Sequence, residues 1–319
     1  MKIKTALLSA VAGIALMSGA QADVDPSDTV SIVVPYGPGG GFDRAVRGFA
    51  PYFSEALGGA NVITENIPGA GGQRGSTEVS RSEPDGLTLG IFNLPGFALP
   101  AILGEEVGYD LRELSWIGRL ESDDYVLIVA ADSDIQTLDD LIAVDDLIIT
   151  STGYGSTVLA ALQITASELG LAEKDPIYLS GYGGTTDAIV GLIRGDGQVS
   201  MAPVSSVTPY LESGDVRALA MSGNQSLFEG VPTFAEAGYP GLTPLNLQRS
   251  IAGPPGIDDA TLTQLRSAFM DVVQNEEYLE YAKSIGMNMS PMNGADTAAD
   301  ISSSFEFYER FSTSLQNPN

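Results

Sequence analysis

Cysteine and histidine are both absent from the 319 residues. Without cysteine there is neither a disulfide nor thiolate chemistry, so an oxidising compartment is tolerated but not required. Without histidine the usual general base and the commonest metal ligand are missing, and a Ser-His-Asp triad is excluded. Positive charge is also scarce, with 15 Lys and Arg against 41 Asp and Glu. That balance disfavours nucleic acid as a partner, because binding it depends on basic groups that neutralise phosphates. High net charge can also mean disorder, but 44% apolar residues and a mean hydropathy of +0.11 argue for a buried core.

At the N-terminus, Lys2 and Lys4 precede the apolar run "ALLSAVAGIALM", and Ala20-Gln21-Ala22 supplies a small-x-small cleavage site before Asp23. This pattern predicts a cleaved secretory signal peptide over residues 1–22. An uncleaved anchor is the alternative, but the apolar core is short for a membrane span. Cleavage leaves 297 residues with 13 basic against 41 acidic side chains, a formal charge of −28, with Lys174 and Lys283 as the remaining lysines. A chain of that length commonly forms two lobes. A solvated acidic surface suits a salty medium, where self-repulsion is screened; the Debye length falls from about 8 Å at physiological ionic strength to about 3 Å at 1 M.

The mature chain alternates strand and helix patterns. "TVSIVV" leads through a glycine loop into a helix with Phe42, Val46, Phe49 and Phe53 on one face, which Pro51 interrupts or kinks. Gly58-Gly59 stops that helix, and "NVITEN", "STEVSRS" and "LTLGIF" complete a βαβαβ opening that implies a mostly parallel sheet. A second series starts at "YVLIVA" and runs through "DLIITS", "VLAALQITASELG", "PIYLS", "TDAIVGLIRG", "VSMAPV" and "VRALAM". Capping boxes are expected at Thr137–Asp140 and at Thr233–Glu236, the latter closed by Gly238. The helices "DATLTQLRSAFMDVVQ" and "EEYLEYAKSIG" and the amphipathic stretch "DISSSFEFYERFSTSL" follow "SIAGPPGI".

Glycine loops precede three of the helices, and the phrase Gly-Tyr-Gly-[Ser/Gly]-Thr occurs twice, at 153–157 and 181–185. Such a loop gathers unpaired backbone N–H groups where the helix dipole is positive, which makes an anion site. Candidate sites lie after Gly41, Gly155 and Gly184. The alternative is that these glycines only make tight strand-to-helix turns. Gly37–Phe42 nearly matches G-x-G-x-x-G, but Phe42 stands where the third glycine belongs. A P-loop fails because Phe42-Asp43-Arg44 replaces the required lysine and hydroxyl. There is no G-x-S-x-G elbow, and no pair of carboxylates stands out for glycoside hydrolysis.

Six segments, "VVPYGPGGGFDRAVR", "ENIPGAGGQRGSTEV", "EPDGLTLGIFN", "YVLIVAADSDIQTLDDLI", "VRALAMSGNQSLFEGVPTFAEAGYPG" and "IAGPPGI", occur in this order. In this series the chain resembles the substrate-binding proteins of tripartite tricarboxylate transporters, the TctC or Bug family. The resemblance covers nearly all of the mature chain. It implies a periplasmic, type II-like binding protein with two α/β lobes around an interlobe cleft. The lobes would be residues 23–124 with 246–319, and residues 125–245. The hinge would lie near Asp123–Val126 and Leu245–Ile251. Its ligand would be a small organic di- or tricarboxylate, passed to a two-component membrane permease by a monomeric receptor without catalysis, cofactor or metal.

By the same resemblance, the loop Tyr36, Pro38, Gly39, Gly40 and Gly41 and the loop Thr152, Gly155, Ser156 and Thr157 hold a carboxylate end. Asp43 matches the acid at the start of the family's first helix, and Asn93 falls after the third strand. Tyr182, Gly183, Gly184, Thr185 and Asp187 face the cleft from the second lobe. The chain departs from the family at Phe42, where Thr is frequent, and at "LQRS" before "IAGPPGI". Arg249 in that stretch is expected to grip the ligand's distal carboxylate in a bidentate fork, with a structural ion pair as the alternative. For Asp43 the alternative is dipole compensation in the first helical turn. Tyr36, Tyr154 and Tyr182 would wall the cleft or pack in the core. Two other functions stay open: a receptor for an amino acid or other zwitterion, with Asp43 or Asp187 pairing its ammonium, and an exported hydrolase using acidic residues.

A protein of this charge repels a polycarboxylate at long range, so capture must rest on short-range donors in the cleft. The association rate should therefore rise with added salt, the reverse of the steered case. Stopped-flow binding from low to high ionic strength checks this, and a rate that falls steeply would overturn it.

Overall fold

In the computed structural model of the protein, the described residues are 24–153 and 156–315. The expected signal peptide and the loop residues Tyr154 and Gly155 lie outside them. The first strand, β1 (Thr29–Val34), buries Val30, Ile32, Val33 and Val34, and it runs into the glycine loop and α1 (Gly41–Ala56). Val46, Phe49 and Phe53 form the core face of α1, whereas Phe42 is only half-buried and turns toward Tyr36. Pro51 does not end the helix. It sits on the exposed face, where water can satisfy the carbonyl that loses its N–H partner, while Phe49 and Phe53 hold the buried face. Gly58 and Gly59, at φ +73° and +101°, close the helix.

The strand β2 (Asn61–Asn66), helix α2 (Gln73–Ser80), strand β3 (Thr88–Leu94) and short helix α3 (Leu99–Ile102) follow. β2 and β3 flank β1 in parallel, as the βαβαβ pattern requires. Next comes β4 (Ser115–Ala130), a 16-residue strand that begins ten residues ahead of "YVLIVA". Then come α4 (Leu138–Ile142), β5 (Ile148–Thr152), α5 (Thr157–Glu168), β6 (Ile177–Tyr182), α6 (Thr185–Ile193) and β7 (Ser200–Pro203). The chain continues through α7 (Val204–Glu212), β8 (Val216–Met221) and β9 (Asn246–Gly253). It ends with α8 (Asp259–Val272), α9 (Glu276–Ser284), β10 (Met289–Asn293) and α10 (Gly294–Glu309).

β4 organises the rest. Its first part lies between β9 and β10 in the order β2-β1-β3-β9-β4-β10. Asp124 opposite Asn246 is the last pair with β9; from Tyr125 onward β4 pairs antiparallel with β7 and β8 instead. β5 and β6 pair in parallel, and Ile149 bridges Val199 ahead of β7. The two halves have separate cores. One gathers Phe49, Phe53, Phe269 and Tyr278; the other packs α5 against Leu127, Met201 and Leu219, and it also takes in Phe307, Tyr308, Phe311 and Leu315 from the C-terminal segment. The Thr137–Asp140 capping box is formed, whereas the Thr233–Glu236 bonds close a turn rather than open a helix. Among the described residues no helix is long and apolar enough to cross a membrane.

Close packing on β4 generates a stability test. A Cβ added at Gly118 would stand 2.3 Å from the ring of Phe269, which is fully buried and has nowhere to move. Gly118→Ala should lower stability by about 1–3 kcal/mol. Urea unfolding should show a lower midpoint at unchanged slope; an unshifted midpoint would contradict this packing.

Candidate functional site

The first loop is held from below by one carboxylate. Asp43 is 3% exposed and reaches back to accept from the Gly39 N–H at 2.8 Å, from Arg47 Nε at 2.9 and 3.0 Å, and from Asn66 Nδ2 at 3.0 Å. Asn66, at the end of β2, also donates to the Tyr36 carbonyl at 3.0 Å. The Arg47 side chain, with help from Gly39 and Asn66, holds the Asp43 carboxyl down at about 2 despite its burial. Gly39 adopts φ +84°, which the turn over Asp43 needs and a larger residue resists. Pro38, Gly39 and Gly40 are exposed, and Gly40 caps α1 without a side chain, so no side-chain cap hydrogen bond is made at the start of the helix among the described residues. Asp43 is thus fully engaged in shaping the loop.

Arg249 lies under that helix start. It sits opposite Glu121 across the β4–β9 ladder and opposite Asn93 across β9–β3, so the three form one row on one face of the sheet. Glu121 is 1% exposed and accepts from Arg249 Nη1 at 2.5 Å. The guanidinium carbon stands 4.8 Å from the centroid of Phe42, and Nη2 lies 3.7 Å from where a Cβ on Gly41 would be. Among the described residues, Arg249 Nε and Asn93 Oδ1 are buried without a hydrogen-bond partner. Burial raises the Glu121 carboxyl even though Arg249 opposes it, and burial likewise pushes the Tyr36 phenol up to about 12.

On the same face, Asp123 is fully buried and accepts the Ser205 N–H, at the start of α7, at 3.3 Å on each oxygen. Its carboxyl is also raised by burial. Tyr125, fully buried, has its phenol raised by burial and opposed by the side chain of Thr157 and the charge of Arg249.

The second-half loops are arranged differently from one another. Thr152 and Ser156 share a 2.5 Å hydroxyl contact, and Ser156 Oγ caps α5 by accepting the Leu159 N–H at 3.2 Å. At α6 the cap is Gly184, again without a side chain, followed by half-buried Thr185 and exposed Asp187. Gly183 lies close to the Asp187 carboxylate, 3.2 Å from it at the position of an added Cβ. Tyr182 turns along α6: its ring occupies the place of a Cβ on Gly191 and its hydroxyl donates to Asp196 at 2.7 Å.

Gly41, Asn93 and Arg249 are thus drawn together, with Tyr36 against Phe42, while Asp43 and Tyr182 are taken up by scaffold bonds. Arg249 stands at the first loop, with Glu121 as its ion-pair partner. Glu121, Asp123, Tyr125 and Asn66 are not among the site residues expected from the sequence; the period-two spacing of Glu121 and Asp123 is a signal for those two, whereas a bulge turns Arg119 to the other face. A cavity of about 750 Å³ lies on the opposite face of β4 and β9, lined by Arg119, Asp124, Asn246, Gln248 and Asp300, away from the glycine loops. Among the described residues no group of three acidic side chains is placed to hold a metal.

Two α/β halves sharing long strands, with glycine-capped helices beside the crossing, define a solute-binding protein. A TctC solute-binding protein from Polaromonas matches the fold with a TM-score of 0.77 at 24% identity, over 89% of this chain and 98% of that one. The sequence model of the tripartite tricarboxylate transporter family receptor matches residues 46–308, and the chain belongs to that family. A UPF0065 protein from the gbd 5' region of Cupriavidus necator is 30% identical over 298 residues, covering 92% of this chain and 89% of the relative. MatC from Rhodopseudomonas palustris, solved with bound malate, has the same fold with a TM-score of 0.69 at 21% identity, over 91% of this chain and all of that one. Family and fold are those of solute-binding receptors, not enzymes.

The Asp43 network carries its own test. Its carboxyl is depressed in the folded protein, so its contribution is complete above the ordinary carboxylate range near about 3.9 and is lost as pH falls toward the folded value. Asp43→Asn should cost about 1–3 kcal/mol at neutral pH. The melting-temperature gap to wild type should narrow between pH 6 and pH 3; a gap constant with pH would show that the charge is not what holds the loop.

Proposed function

We propose that the protein is exported to the periplasm and captures a small organic di- or tricarboxylate between its halves. It then delivers this cargo to the two-component membrane permease of a tripartite tricarboxylate-type transporter. The observation that carries this reading is the placement of Arg249 Nη2 beside Gly41, under a helix start that no side chain caps. Backbone N–H groups, the helix dipole and a guanidinium edge there favour one carboxylate. The glycine-capped start of α6 offers a second set of donors of the same kind. Family membership and the malate bound to a relative of the same fold support the ligand class.

The lobes in this reading are residues 23–124 with 246–319 and residues 125–245. β4 changes partners between Asp124 and Tyr125, which is where a hinge would let one half swing on the other. Closure would exclude water and strengthen the short-range attraction that the acidic surface opposes at a distance.

A thermal-shift panel on the mature protein in about 0.5 M salt tests the proposal, since salt screens the surface charge. It would include citrate, malate, succinate, adipate, glutamate, a hexose and phosphate, with calorimetry to confirm. Ligand at a hundredfold over its dissociation constant should add about 2.7 kcal/mol of stability. Stabilisation by carboxylates is expected; stabilisation by the hexose or phosphate alone would overturn the reading.

A further inference from the structure

An anion arriving at the start of α1 meets an arginine whose charge is already claimed. Glu121 holds Nη1 from beneath, almost wholly buried, while the Arg249 side chain is 19% exposed and turns Nη2 toward Gly41. Asp123 lies two residues along β4, fully buried, with two long bonds from a single backbone N–H. Arg249 bonds Glu121 directly, and its charge also favours the ionised form of Asp123. Besides Asp124, which faces the rear of β4 and is pushed up to about 6 by burial and by the charge of Asp123, the other ionisable groups around the cluster are phenols: Tyr36 from the first loop, Tyr125 on β4 and Tyr278 from α9. Burial raises each phenol, so all three stay neutral near pH 7. A bound carboxylate would be the third anion near one cation, above two carboxylates that are themselves buried.

Like charges that share a buried site do not all stay ionised; the one most easily protonated takes up a proton. We propose that Glu121 is a positioning residue that couples carboxylate capture to the uptake of one proton. It steers Arg249 under Gly41, then accepts a proton from solvent on its carboxylate as the ligand takes over the guanidinium. This rests on the carboxylate reading above. Glu121 is the member of the cluster in direct contact with Arg249, so it loses most when Arg249 is shared, and burial already holds its carboxyl above the usual range. The sign follows by linkage. The liganded protein binds more protons than the free one, so affinity rises as pH falls, by at most about tenfold per pH unit for one proton.

The test is titration calorimetry of the mature protein with malate and with succinate, each in two buffers of different ionisation enthalpy. Measurements would run between about pH 6.5 and 8.5, above the ordinary range of the ligand carboxylates. Wild type should take up as much as one proton per ligand and bind more tightly toward the acid end. Glu121→Gln should abolish the uptake, flatten the profile and bind more tightly than wild type at pH 8.5, whereas loss of a merely structural residue would weaken binding at every pH. A flat wild-type profile without proton uptake overturns the proposal, and it can be read even if the variant does not fold. Uptake that survives in Glu121→Gln assigns the proton elsewhere and also overturns it. No binding of either ligand in any condition defeats the carboxylate reading itself.

Discussion

The ion pair between Arg249 and Glu121 is the interaction on which the rest of the site depends. Taking two charges out of water costs several kcal/mol per ion before any attraction is counted, and removal of one partner leaves the other stranded. The pair is tolerated because the β4–β9 register sets the two residues directly opposite one another and Phe42 covers the guanidinium. Three strands thereby contribute to one row, Glu121 from β4, Arg249 from β9 and Asn93 from β3. The direction of the guanidinium decides where an anion is welcome. Because β4 exchanges β9 for β7 and β8 only a few residues later, the same strand carries the row and joins the halves.

The loop above this row shows a complementary economy. Asp43, Asn66 and Arg47 tie the glycine turn to the end of β2 from its inner side, so the outer side keeps its backbone free. Asp43 is thus the residue that shapes the turn. The acidic surface fits the same division. Charge of one sign at a distance controls approach, while the few buried donors control what is kept, since screening acts on the first far more than on the second.

Local patterns were readable where the chain is apolar and short-ranged. β2 falls on "NVITEN", α6 covers "TDAIVGLIRG" with Thr185 added and without its last two residues, and the glycine loops stand before α1 and α6 as their composition suggests. The first ten residues of β4 were not readable as strand because Arg119, Glu121, Asp123 and Asp124 look like a solvated connection. The charges of Arg119, Glu121 and Asp123 are answered by Asp300, Arg249 and the Ser205 N–H, partners between 82 and 181 residues away that no local window contains. β10 and α7 were obscured by Pro291 and Pro209, which argue locally against the elements that contain them. Arg249 itself was visible as an unusual residue before "IAGPPGI". Its position under Gly41 depends on β9 lying between β3 and β4, and that order is a property of the whole sheet.

Strand alternation then links the site to the far side of the molecule. Along β4, Glu121 and Asp123 face the loops, while Ser122 and Asp124 face the rear cavity with Asn246 and Gln248 of β9. The two faces are not electrostatically separate. Asp124 is pushed up to about 6 chiefly by burial, with the charge of its neighbour Asp123 adding to the effect and Arg119 opposing it. The rear cavity takes lining from both halves, Arg119 and Asp300 on one side and Asn224 and Thr243 on the other. A ribbon two strands wide therefore carries binding groups on one face and a charged groove on the other. Any rotation about Asp124–Tyr125 must change the spacing of both, because no second layer of backbone lies between them to absorb it.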